Sequence, residues 1–281
     1  MNLFLQSLTA DLSTLRSIAS LASPGQLIAI HPHAMRCLNL AAPDAALKAH
    51  METLAQQAQV DLTWSDSLPT LADFKLLAMD MDSTLITIEC IDEIADMQGL
   101  KPQVAAITEA AMRGELVFAE SLIQRVALLK GLPAEALQRV YDERLALSPG
   151  AEQLLQAVQE AGIKTLLVSG GFTFFTDRIK ARLQLDFTHA NQLEIVDGKL
   201  TGKVLGEIVD AEEKRRTVER TCAALGISPQ QAIVMGDGAN DLAMMGIAGL
   251  SVAFRAKPVV RAQARVALNF VGLDGVVALL S

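Results

Sequence analysis

Apolar positions in the first seventy residues switch repeatedly between a two-residue and a 3.6-residue period. Runs with strand character fall at residues 3–6, 26–30, 35–40 and 60–64, and helical stretches at 12–21 and 45–58. The pattern therefore predicts the order β-α-β-β-α-β. Residues 65–69 (Ser-Asp-Ser-Leu-Pro) interrupt it and form the expected linker. From Lys75 the rhythm changes to short, wholly apolar runs separated by longer helical stretches, which predicts a parallel sheet covered on both faces. The clearest buried strands are 76–79, 164–168 and 232–235, and helices are expected around 152–161, 175–183, 213–225 and 242–245. Asp197-Gly198 between the strand-like runs 193–196 and 199–201 predicts a tight hairpin.

These patterns divide the chain into a small α+β unit at 1–70 and a larger α/β unit at 71–281. The order of the first unit is that of the ferredoxin-like fold, shared by small amino-acid-binding regulatory domains of the ACT type. Order alone does not establish ligand binding, and a structural or dimerising unit, hence a homodimer, fits equally well. Within the second unit, residues 89–147 form a long insertion rich in helix formers, read as a helical cap. Open α/β folds place ligands at the C-terminal ends of their parallel strands, where such a cap would close over a site.

Composition narrows the function classes. Of the 281 residues, 51% are hydrophobic, enough for a well-buried core, and the mean hydropathy is +0.32. No apolar run reaches the roughly 18 residues of a membrane span. Residues 1–15 contain no Lys or Arg and carry Asp11, unlike a secretory signal, so a cytoplasmic location is expected. A formal net charge of −8 without a long basic block argues against nucleic-acid binding. Cys37, Cys90 and Cys222 lack C-x-x-C spacing and read as reduced, buried thiols. His31, His33, His50 and His189 lack the spacing of a metal site.

Chemistry concentrates at the ends of three predicted strands, namely Asp80-Met81-Asp82-Ser83-Thr84, Ser169-Gly170-Gly171 and Gly236-Asp237-Gly238-Ala239-Asn240-Asp241. A single carboxylate after a strand can merely cap a turn. Three strand ends of complementary chemistry on one sheet edge point to a shared site. Together with Lys214, this ordered set of D-x-D-S-T, S-G-G, Lys and G-D-G-x-N-D resembles the haloacid dehalogenase (HAD) phosphatase superfamily over residues 75 to about 273. Residues 91–95 (Ile-Asp-Glu-Ile-Ala), 114–129 and 197–202 further resemble its phosphoserine phosphatase branch.

The resemblance implies a HAD-type Rossmann-like sheet and hydrolysis of O-phosphoserine to serine and phosphate, the last step of serine biosynthesis. Transfer of the phosphoryl group to another alcohol such as homoserine is the alternative. Asp80 would be the nucleophile and Asp82 the acid and base, with Mg²⁺ held by Asp80, Asp237 and the backbone carbonyl of Asp82. Two nearby carboxyl groups serve opposite roles when a metal keeps one ionised and its surroundings keep the other protonated. Ser169, Gly170, Lys214 and Asn240 would bind phosphate, and Asp241 would orient the metal's surroundings. Lys214 adjoins Arg215 and Arg216, so a solvated helix face remains its other reading. In the cap, Glu89 would meet the substrate ammonium and Arg125 its carboxylate, with Met112 and Phe118 closing apolar sides.

Overall fold

The computed structural model describes residues 1–67 and 69–281, and the side chain of Met112 also lies outside the described residues. The N-terminal segment forms β1 (Asn2–Ser7), α1 (Leu12–Ser20), β2 (Gln26–His31), β3 (Ala34–Leu38), α2 (Ala45–Gln57) and β4 (Val60–Ser65). Its antiparallel sheet has the order β2-β3-β1-β4, so β3 separates the two strands of the first βαβ unit, as in the ferredoxin-like arrangement. Asp11 and Asp44 start the two helices by accepting the backbone N–H of Thr14 (2.9 Å) and Leu47 (2.8 Å). The third strand stops at Leu38, short of the predicted residue 40, because Asn39 adopts a left-handed conformation with φ 58°.

The larger sheet is built from β5 (Leu76–Met79), β6 (Lys164–Phe172), β7 (Phe187–Val196), β8 (Lys199–Leu205), β9 (Ala232–Gly236), β10 (Leu250–Phe254) and β11 (Val266–Leu268). Its order is β11-β10-β9-β5-β6-β7-β8, and every pair is parallel except β7–β8. The Asp197-Gly198 turn has φ of 50° and 73°, the paired positive values that suit a two-residue hairpin. Helices α7 (Ala151–Glu160), α8 (Thr173–Leu183), α9 (Ala211–Leu225), α10 (Leu242–Met245), α11 (Pro258–Arg261) and α12 (Gly275–Leu280) accompany the sheet. Two apolar clusters form around its strands, one including Leu77, Met79 and Leu167, the other Leu76, Ala78 and Leu166. This alternation shows that the strands are buried on both faces, as their unbroken hydrophobicity requires.

Between β5 and α7 the cap contributes α3 (Cys90–Met97), α4 (Lys101–Met112), α5 (Phe118–Ala127) and α6 (Glu135–Glu143). Its two connecting segments meet at the neck in an isolated antiparallel bridge between Ile86 and Leu147, where the N–H of Thr87 donates to Ala146 (2.9 Å) and that of Ser148 to Leu85 (2.9 Å). On the far side, the loop after α5 pairs with the hairpin, Gly131 donating to Leu200 (2.7 Å) and Ala134 to Gly198 (2.8 Å). The cap is thus held to the core at both ends.

The small sheet is not an appendage. Leu3 and Leu5 of β1 join its own core, whereas Phe4 enters the main core. Asp61 of β4 is 2% exposed and accepts hydrogen bonds from the backbone N–H of Asn269 (2.8 Å), Phe270 (3.0 Å) and Val271 (3.1 Å) and from Asn269 Nδ2 (3.2 Å). Burial pushes its carboxyl pKa upward, and the backbone donors of Phe270, Asn269 and Val271 oppose that push. Arg36 adds bonds to the carbonyls of Leu279 (3.1 Å) and Ser281 (2.7 Å). An Asp61→Ala substitution strands several buried donors, so a loss of about 2–4 kcal/mol is expected in urea unfolding. The exposed cap variant Asp44→Ala should lose only about 1 kcal/mol. Equal losses at both positions would contradict this reading of the junction.

Candidate active site

Parallel pairing brings the three polar strand ends to one edge. Met79 is opposite Met235 in β9 and Leu167 in β6, so the residues that follow leave the sheet side by side. Asp80 begins a wide turn in which Leu85 and Ile86 donate to the carbonyls of Asp80 (3.3 Å) and Met81 (3.0 Å). Within this turn Asp82 is extended and Ser83 has φ 55°. The turn keeps Asp80 and Asp82 in one site although they are only two residues apart.

Lys214, in the first turn of α9, is 1% exposed. Its Nζ lies 2.8 Å from Asp80 Oδ1 and 2.8 Å from Asp241 Oδ1. The solvated-face reading of this lysine is therefore overturned; Arg215 and Arg216 occupy the outer face instead, paired with Glu212 and Glu207. Asp241 Oδ2 accepts the backbone N–H of Asp237 (3.2 Å) and Gly238 (3.1 Å), which shapes the loop after β9. Gly236 has to be glycine here, because an added Cβ would overlap the Asp241 carboxylate.

Carboxylate oxygens of Asp80, Asp237 and Asp241 come within 4.8 Å of one another. Burial and the neighbouring Asp241 push the Asp80 carboxyl upward against the pull of Lys214. Burial, Asp241 and Glu89 raise Asp237 to about 6. Carboxylates held so close would lower their energy by sharing a cation, and an all-oxygen donor set suits a hard divalent ion. Asp82 is raised to about 7, first by burial and then by Glu89, while the N–H of Cys90 at 2.9 Å opposes the rise. A carboxyl with that value is about half protonated near neutrality and can both give and take a proton. Ser169 is fully buried, its Oγ lying 3.5 Å from Asp82 Oδ2 and accepting the Gly171 N–H at 2.8 Å.

Above this edge lies a cavity of about 300 Å³, lined by core residues and by Glu89, Phe118 and Arg125 of the cap. Ser83 donates to Glu89 Oε1 at 2.7 Å, linking the turn after β5 to the base of the cap. Burial lowers the Arg125 pKa, while Asp92, Glu89 and Asp82 act to raise it. Phe118 covers Gly170, where an added Cβ would lie 2.8 Å from the ring. Asn240 lines the same cavity. Of the cap residues singled out from the sequence, Met112 alone lies outside the described side chains. Sequence reading passed over Asp92, Thr108 and Lys257, which also line the cavity. Lys257 follows β10, and its N–H donates to the Asp237 carbonyl at 3.1 Å. No local motif marks these three residues, although Asp92 falls in the Ile-Asp-Glu-Ile-Ala stretch.

A family model described as haloacid dehalogenase-like hydrolase matches residues 77–246. The chain belongs to this family. Among relatives of this haloacid dehalogenase-like hydrolase, the phosphoserine phosphatase of Polaromonas sp. is 62% identical over 215 residues, covering 75% of this chain and 91% of the relative. A crystal structure of a HAD-family hydrolase from Salmonella enterica serovar Typhi matches with a TM-score of 0.88 and 35% identity, over 100% of this chain and 99% of the other. The unliganded probable phosphoserine phosphatase of Vibrio cholerae matches with a TM-score of 0.83 and 36% identity, over 99% of this chain and 86% of the other. Both structural matches extend across the N-terminal sheet as well as the hydrolase core.

The tight packing at the Ser169 turn gives a direct check of the site. A Cβ on Gly171 would lie 2.5 Å from Asp82 Oδ2 and 3.1 Å from Ser169 Oγ. Gly171→Ala should therefore displace the Asp82 carboxyl and lower phosphomonoesterase turnover by about 10–100-fold. Thermal unfolding should change little, and unaltered turnover would contradict the geometry.

Proposed function

We propose that the protein hydrolyses O-phosphoserine to serine and phosphate through a phosphorylated Asp80, as the last step of serine biosynthesis, with Mg²⁺ as its metal. The observation that carries this reading is the buried Asp80–Lys214 pair beside Asp82, whose burial and neighbour Glu89 raise it to about 7, beneath a cap that brings Glu89, Asp92 and Arg125 to the cavity. Asp80, Asp237 and the backbone carbonyl of Asp82 would hold the ion, which when bound would supply positive charge toward the phosphate oxygens. Ser169, Gly170, Lys214 and Asn240 orient those oxygens.

In the first half-reaction an Asp80 carboxylate oxygen forms a bond to phosphorus as the bond to the serine oxygen breaks. Asp82 gives its proton to the departing alkoxide. In the second, Asp82 takes a proton from water, whose oxygen attacks phosphorus, and phosphate leaves as the Asp80 carboxylate is regenerated. Asp241 keeps Lys214 and the Asp237 loop in register for both steps. Glu89 receives the substrate ammonium and Arg125 its carboxylate, while Phe118 excludes water. The relatives named phosphoserine phosphatase favour hydrolysis over transfer to an alcohol such as homoserine. Residues 1–70, residues 71–281 and the cap at 89–147 serve as the working division of the chain. A cytoplasmic location accords with this role, and among the described residues no helix is long and apolar enough to cross a membrane.

In a panel of phosphomonoesters, phosphate release from O-phosphoserine should exceed that from sugar phosphates and nucleotides, and should vanish with a chelator and return with Mg²⁺. Removing one charge-assisted contact through Arg125→Ala should raise KM for O-phosphoserine by about 10–100-fold and leave poor substrates almost unaffected. Equal rates across the panel would reject the substrate, and full activity in chelator would reject the metal.

A further inference from the structure

The β6–β7 ladder breaks register where it reaches the candidate phosphate site. Ser169 is opposite Ala190, yet the next residue of β7, Asn191, is opposite Phe172. Gly170 and Gly171 are therefore looped out of the ladder, toward the cavity that both residues line. Such a bulge detaches backbone groups from their strand partners.

Asn191 supplies the missing partner. Its side chain is 1% exposed, and Nδ2 donates to the Gly170 carbonyl at 2.8 Å. The other end of the same amide, Oδ1, accepts the N–H of Val209 at 2.9 Å. Val209 leads into Asp210, which caps α9 by accepting the N–H groups of Glu212 (3.0 Å) and Glu213 (2.9 Å). Lys214 follows in the same first turn. One buried amide thus joins the Ser-Gly-Gly bulge to the start of the helix carrying the lysine.

We infer that Asn191 is a positioning residue for phosphoryl transfer: it fixes the spacing between the Ser169–Gly170 turn and Lys214, so that both meet the same phosphate. This rests on the phosphate-binding roles proposed above for Ser169, Gly170 and Lys214. Asn191 does not itself touch substrate. The aspartates proposed to hold the metal emerge from β5 and β9 and are tied to one another through Asp241 and Lys214, without Asn191.

The test uses the full chain with Asn191→Leu, which fills the space without either bond, and Asn191→Ala, which leaves room for water. Three quantities are read: kcat and KM for O-phosphoserine, the inhibition constant of inorganic phosphate, and the Mg²⁺ concentration giving half-maximal activity. Circular dichroism and thermal unfolding accompany them; if Asn191→Leu does not fold, Asn191→Ala carries the comparison. For the folded variants, kcat/KM should fall by about 10–100-fold and phosphate inhibition weaken by about 10-fold, because two positioning hydrogen bonds are lost. The Mg²⁺ requirement should stay within about twofold, since its ligands are braced elsewhere. If the parent protein is inhibited by phosphate and both variants match it, the inference is overturned. It is equally overturned if phosphate and Mg²⁺ constants shift together in proportion to lost thermal stability. A parent that neither hydrolyses O-phosphoserine nor responds to phosphate would instead reject the underlying functional reading.

Discussion

The structure depends on one ammonium group buried between two carboxylates. Lys214 could not remain charged at 1% exposure without Asp80 and Asp241, each 2.8 Å away. In meeting that requirement the chain joins the end of β5, the first turn of α9 and the loop after β9. Asp241 extends the union to the backbone of Asp237 and Gly238. Asp237 brings a third carboxylate within 4.8 Å of these two, and burial, Asp241 and Glu89 push it up to about 6. The excess negative charge prepares the same edge for a further cation.

Around this centre, tasks are divided by location. The core holds charge and shape close to rigid strand ends, where small displacements are costly. The cap brings Glu89, Arg125 and Phe118 over the cavity and is fastened both at its neck and to the β7–β8 hairpin. At the opposite flank, β4 of the N-terminal sheet uses Asp61 to hold the chain after β11. That segment also meets the cap's exit, because Leu273 donates to the Pro149 carbonyl at 2.8 Å. The small sheet therefore braces the hydrolase body.

Much of the architecture was readable because short apolar runs, their spacing and the Asp197-Gly198 turn are local signals. The residues around Asp80, Asp82, Ser169 and Asp237 were legible for a similar reason: Asp80 and Asp237 follow directly on buried strands, Asp82 lies two residues on, and Ser169 stands in β6 directly after its run of apolar residues. Lys214 was ambiguous in sequence, since its neighbours Arg215 and Arg216 pair with acids on the outer side of the helix and only the helix's rotation separates it from them. Asn191 left no signal, because its role comes from a register shift between strands and from a contact eighteen residues away. Asp61 was equally silent. An aspartate alternating with Val60 and Leu62 looks like a solvent-facing strand position, and only the packing of a second unit on that face makes it an acceptor of four hydrogen bonds.

The most direct test of the central claim is to stop turnover of O-phosphoserine in acid and map the phosphorylated peptide by mass spectrometry. The account predicts the added mass of one phosphoryl group on Asp80, absent in Asp80→Asn. A phosphoryl group on any other side chain, or steady turnover by Asp80→Asn, would contradict it.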